Sequence, residues 1–155
     1  VMLPVSSTGK IAYFATIMHA KKLHVTALSD SLSETHRRDQ ERLINAVGAK
    51  HVMRSKDFTD GSIDMPTIED LMRKTLANIA KSELGWDVVQ YVASMPSTPI
   101  LKIFDDRMGS EYSRSKLAKA FMNWARPKID GFSMLDAEEQ KRFKNLFAEI
   151  NASFV

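Results

Sequence analysis

The chain has 155 residues, 44% hydrophobic and 26% charged, which supplies a real apolar core and excludes a disordered or fibrous protein. Its formal net charge is +3 and its pI about 9.2, a modest basic excess spread over both halves that allows a nucleic-acid or acidic partner without demanding one. There is no cysteine, which excludes disulfides and thiolate metal sites, and no apolar run approaches the roughly 20 residues a membrane helix needs.

The expected location is cytoplasmic, because no cationic leader precedes the apolar run at 11–18. The opening Val1 points to a start that is missing or altered. The first helix is predicted over Lys10 to Lys22, with Ile11, Phe14, Ala15 and Met18 at the spacing of a buried face. A short helix at about Thr26 to Ser31 follows. A longer one runs from Ser33 to a glycine cap at Gly48, with Leu43, Ile44 and Val47 as its apolar side. "KHVMRSKDFTDGSIDMP" lacks helical spacing and carries Asp60-Gly61, which reads as the turn of a loose β-hairpin between Val52 and Ile63.

Helix resumes at Thr67, where Thr67 and Asp70 form a capping-box start, and Gly85 stops it. Shorter helices are predicted near Asp87 to Ser94, from Pro99 to Gly109, and from about Ser113 to Arg126. A last one spans Asp136 to Ile150, with Phe143, Leu146, Phe147 and Ile150 at core spacing. The predicted class is therefore mainly α, with a small β-hairpin and a C-terminal helical extension. Residues 1–83 form the first domain, and 84–155 either pack on it or supply a dimer interface.

Several local patterns fail on their chemistry. "SSTGK" at 6–10 lacks the earlier glycine and the later hydroxyl of a phosphate loop, because Pro4 and Ile11 stand there. A calcium loop centred on Gly61 would begin at Lys56 and end at Thr67, neither of which is a carboxylate. "GFSML" around Ser133 lacks the second glycine of a nucleophile elbow. His19, His24, His36 and His51 show no metal-ligand spacing. No nucleophile stands at a telling distance from a base, so neither an enzyme nor a cofactor is predicted.

"LHVTALSDSL", "SETHRRDQERL" and "HVMRSKDFTDGS" in this order resemble the winged helix-turn-helix of bacterial regulators, notably the MarR and DeoR types, over about residues 9–83. Leu23, Val25, Leu28 and Leu32 match the apolar positions of the helix before the turn. "SETHRRDQERL" is similar to a DeoR-type recognition helix, and Val52, Arg54, Asp57 and Asp60 resemble a MarR-type wing. The resemblance implies double-stranded DNA as partner, a homodimer on two half-sites, and transcription regulation as the role. It implies Ser33, Thr35, Arg37, Arg38 and Arg42 as groove and phosphate contacts, with Arg54 and Lys56 on the wing.

Read from the residues alone, Ser33 to Arg42 is also what a charged surface helix looks like, since its three arginines face Glu34, Asp39 and Glu41. A second basic stretch is "SRSKLAKAFMNWARPK". Lys116, Lys119, Asn123 and Arg126 fall on one side of a helix, and Leu117, Ala120, Phe121 and Trp124 on the adjoining side. That side is either a phosphate-tracking surface, for DNA or RNA, or simply solvated. The alternative function is a non-enzymatic helical interaction module (an adaptor, assembly protein or effector) that uses its nine methionines as adaptable surface.

Overall fold

The structure, a computed structural model, describes residues 3–5, 8–30, 37–127 and 130–154. Among them are seven α-helices and one two-stranded parallel sheet. The helices are α1 (Thr8–Ala20), α2 (Arg37–Val47), α3 (Arg73–Leu84), α4 (Val89–Ser94), α5 (Ile100–Met108), α6 (Arg114–Ala125) and α7 (Ala137–Ala152). The strands are β1 (Ala27–Ser29) and β2 (Val52–Arg54). The protein is thus mainly α with a small β element.

That element differs from the predicted hairpin. β1 and β2 run parallel, in the register Ala27 to Val52, Leu28 to Met53 and Ser29 to Arg54. A parallel pair needs a crossover, and α2 lies between the two strands in the chain. The partner of β2 therefore comes from the stretch read as a short helix at Thr26 to Ser31. A short apolar run has no periodicity to separate strand from helix, and burial on both faces decides it here. The turn at Asp60-Gly61 does form, with Gly61 at φ 79 and Ser62 Oγ donating to Asp60 at 3.0 Å, but it joins no second strand.

Alternation along the strands divides the core. Ala27 and Val52 join Ala12, Ala15, Leu43 and Val47 in a cluster with α1 and α2. Leu28 and Met53 join Leu71, Phe143, Leu146 and Ile150 in a cluster with α7. Successive side chains point to opposite faces of a strand, so the pair is covered on both sides. The spacing places Phe14 in the buried face of α1, yet it is exposed, and Ala12 takes that place. Small side chains at Ala12 and Ala15 fit the tight packing of α1 on α2.

The largest cluster gathers Leu76, Ala77 and Ala80 of α3, Trp86 and Val88, Ile100, Ile103 and Phe104 of α5, and Leu117 of α6. α3 thus shares its core with α5 and α6. Gly85, at φ 73, is the left-handed cap of α3, its N–H donating to Ala80 and Lys81. α1 ends on a different pair of hydrogen bonds, Leu23 N to Met18 O at 3.1 Å and Lys22 N to His19 O at 2.8 Å. Its left-handed residue, however, is Lys22, at φ 59. That conformation costs an L-residue roughly 1–2 kcal/mol, which a glycine avoids.

Candidate nucleic-acid interface

The ten residues expected to contact nucleic acid separate into three groups. Ser33 and Thr35 lie outside the described residues, and so does the Arg37 side chain, although Arg37 opens α2. Arg38 and Arg42 are exposed on the side of α2 away from buried Leu43 and Val47, as an open recognition helix requires. Arg42 reaches Asp39 at 3.6 Å, a loose exposed pair.

The two wing residues sit differently from expectation. Arg54 ends β2 and grips Asp57 twice, Nε to Oδ2 at 3.1 Å and Nη2 to Oδ1 at 2.9 Å. Its guanidinium fork is occupied by that carboxylate. Lys56 lies in the short 3₁₀ turn Ser55–Asp57, exposed beside it. Neither belongs to a β-hairpin.

α6 matches its expected face. Lys116, Lys119, Asn123 and Arg126 are exposed, Leu117 and Ala120 are buried, and Phe121 and Trp124 are half-buried with their rings 5.9 Å apart. The helix starts where it should, because the Ser113 hydroxyl accepts from Lys116 N at 3.4 Å. Lys116 Nζ donates to the Glu111 carbonyl at 3.5 Å. Among the described residues no carboxylate pairs with Lys119 or Arg126. Lys116 and Arg126 lie ten positions apart, about 15 Å along the axis.

One constellation was not visible in the sequence. At the carboxyl end of β1, Asp30 Oδ1 accepts from Ser55 Oγ at 3.2 Å and from Ile68 N at 2.9 Å. Arg114, first residue of α6, pairs with Glu69 at 2.7 Å and lies 3.9 Å from Asp30 Oδ2. The Glu69 Oε2 and Ser29 Oγ atoms are buried without a partner among the described residues. Four segments thus converge on one edge of a parallel pair, the edge where open α/β sheets place their ligands. The sequence signal for it is "LSD" ending a strand, in a stretch whose pattern predicts a helix. No group of three metal-binding side chains occurs among the described residues.

The opposite edge is cationic. His51, just before β2, has its pKa pushed below the ordinary 6.5, first by burial and then by Lys50, His24 and His19. Between that lowered value and 6.5 the unfolded chain binds the proton more tightly, so stability falls as pH drops through this window. The carboxylates held low, Asp87 and Asp136, act only below about 3.8. Urea melts from pH 7.5 down to 5.5 should therefore show a loss of stability that His51→Gln reduces. Parallel slopes for the two proteins would refute this.

The chain matches no protein-family model, no curated protein and no solved structure.

Proposed function

We propose that this protein binds duplex DNA by its phosphate backbone, with α6 as the main contact. The observation that carries the proposal is the row Lys116, Lys119 and Arg126, exposed along one helix with no carboxylate among the described residues to neutralise Lys119 or Arg126. Uncompensated cations release the counterions condensed on DNA, and this drives non-specific affinity. Arg38 and Arg42, exposed on α2, offer a second contact, so the role suggested by bacterial regulators is kept while its wing is not. A regulator of this kind would act as a homodimer, and Phe147 and Phe154, each about half exposed near the chain's end, are available to such an interface.

Three phosphate contacts predict that affinity falls about 40-fold between 50 and 200 mM salt. Replacing Lys116, Lys119 and Arg126 together by glutamate should abolish duplex binding and leave the circular dichroism spectrum and melting temperature nearly unchanged, since all three side chains are exposed. Fluorescence anisotropy with a labelled duplex measures it. Undiminished binding by the triple variant would overturn the α6 assignment. If Arg38→Ala with Arg42→Ala then removed binding, α2 would be the contact.

The carboxyl edge of the strands favours a second reading, a site for a divalent cation that bridges to phosphate. Magnesium is commonly held by one or two carboxylates together with substrate phosphates. Asp30 and Glu69 supply two, and the buried Glu69 Oε2, without a partner among the described residues, is the supporting observation. Magnesium titration of the protein with duplex, against the Asp30→Asn and Glu69→Gln variants, tests it. Equal magnesium dependence in all three sinks the reading.

A further inference from the structure

Beyond the DNA-binding surface lies a separate cavity at the amino end of the strand pair. It is walled by His19 and Lys22 at the end of α1, by His24 in the loop before β1, and by His51 before β2, and its volume is about 370 Å³. Leu23, Val25 and Val47 form the rest of its lining. Among the described residues no carboxylate lines it.

Lys22 brings a positive charge to this wall and each of the three imidazoles can donate a ring N–H, while burial first, and then Lys50, His24 and His19, disfavour a proton on His51. An arrangement of this sort is stabilised by an anion. Lys22 adds an independent sign. It closes α1 in a left-handed conformation that glycine would adopt without strain, and strain retained at a pocket wall points to use of the side chain. A pocket of this size with an apolar lining and a few convergent polar groups suits a small organic ligand.

We propose that this cavity binds a phosphate monoester, with Lys22, His19, His24 and His51 around the phosphate and Leu23, Val25 and Val47 against its organic part. The monoester could belong to a small metabolite or to the 5′ end of a nucleic-acid strand, because the recognising chemistry is the same. Nothing in the proposal depends on α6, so the α6 glutamate variant should bind the phosphate unchanged.

The test is an imidazole-detected NMR titration of the full chain with inorganic phosphate, with chloride at matched ionic strength as control. The rings of His19, His24 and His51 should shift together and saturate, and His51 should titrate at higher pH when phosphate is bound. Lys22→Gly should melt about 3 °C higher, through relief of left-handed strain. It should also bind phosphate about tenfold more weakly, through loss of a charged donor. This variant separates folding from binding, since it gains one and loses the other. Two further probes identify the source: a nucleoside monophosphate binding more tightly than inorganic phosphate supports a small ligand, and a 5′-phosphorylated oligonucleotide outcompeting its 5′-hydroxyl twin supports a strand end. Ring shifts that chloride reproduces, or unchanged phosphate affinity in Lys22→Gly, would overturn the proposal.

Discussion

Replacing Asp70 by alanine is expected to lower stability by about 3–5 kcal/mol, the largest effect of any single polar substitution in this protein. Asp70 is fully buried at the start of the helical segment that becomes α3. Its Oδ1 accepts from Arg73 Nη1 at 2.7 Å and from Ile100 N at 2.8 Å, and its Oδ2 accepts from Thr67 N at 2.9 Å. One carboxylate therefore caps its own helix, holds the first turn of α5, and neutralises an arginine that is itself buried.

Arg73 donates further to the carbonyls of Thr98 at 2.6 Å and Met95 at 3.0 Å, which fixes the loop between α4 and α5. Without Asp70 its charge stays buried and unpaired, and two backbone N–H groups lose their acceptor. Urea unfolding of Asp70→Ala measures the loss. A double variant that also carries Arg73→Met should be less destabilised than the sum of the two single changes, because it leaves no orphan charge. A loss under about 1 kcal/mol in Asp70→Ala would contradict the network.

The second large effect is expected from Glu139→Ala, at about 3 kcal/mol. Glu139 is buried on α7, yet its shortest hydrogen bonds come from α3. Its Oε1 accepts from Lys74 N at 2.7 Å and from Thr75 N at 3.1 Å, and its Oε2 accepts from the Thr75 hydroxyl. A helix N-terminus has orphan N–H groups and a partial positive charge, and this carboxylate meets both needs. The same side chain closes the cap of its own helix through Asp136 N at 3.3 Å.

Loss of Glu139 should thus uncouple α7 from α3, and the effect should be local as well as global. Hydrogen exchange at the amides of Lys74 and Thr75 should speed up in Glu139→Ala before the rest of α3 opens. Glu139→Gln keeps a carbonyl acceptor but no charge, so it should be milder. The exposed pair Lys74–Asp136, at 2.7 Å beside it, should matter far less, because exposed ion pairs contribute little. Equal protection at Lys74 and Thr75 in Glu139→Ala and the parent would refute the role.

Both networks show how far local reading reaches. The capping box Thr67–Asp70 was legible, since its two partners are three residues apart. That Asp70 also serves Arg73 and Ile100 was not, because nothing local distinguishes a capping aspartate from one that organises a core. The α6 face was legible too, since period and polarity alone place Lys116, Lys119 and Arg126 opposite Leu117 and Ala120. Arg38 and Arg42 were legible as exposed, but whether a helix can enter a groove depends on what it packs against, which no local pattern encodes. Asp30, Ser55, Glu69 and Arg114 come from four distant segments and share no pattern at all.

For most of the helices, the ends were legible in the chain alone. Gly48, Gly85 and Gly109 end them, and Ser113, Asp136 and the Thr67–Asp70 pair start them, because capping is chemistry between near neighbours. That Ala27–Ser29 is a strand, that its partner is Val52–Arg54, and that the pair is parallel came from packing alone. Three residues carry too little periodicity to choose a conformation. The choice belongs to burial between α1 and α2 on one face and α7 on the other, and to a partner 25 positions away. That pairing also places a convergent polar edge at one end of the strands and a cationic pocket at the other.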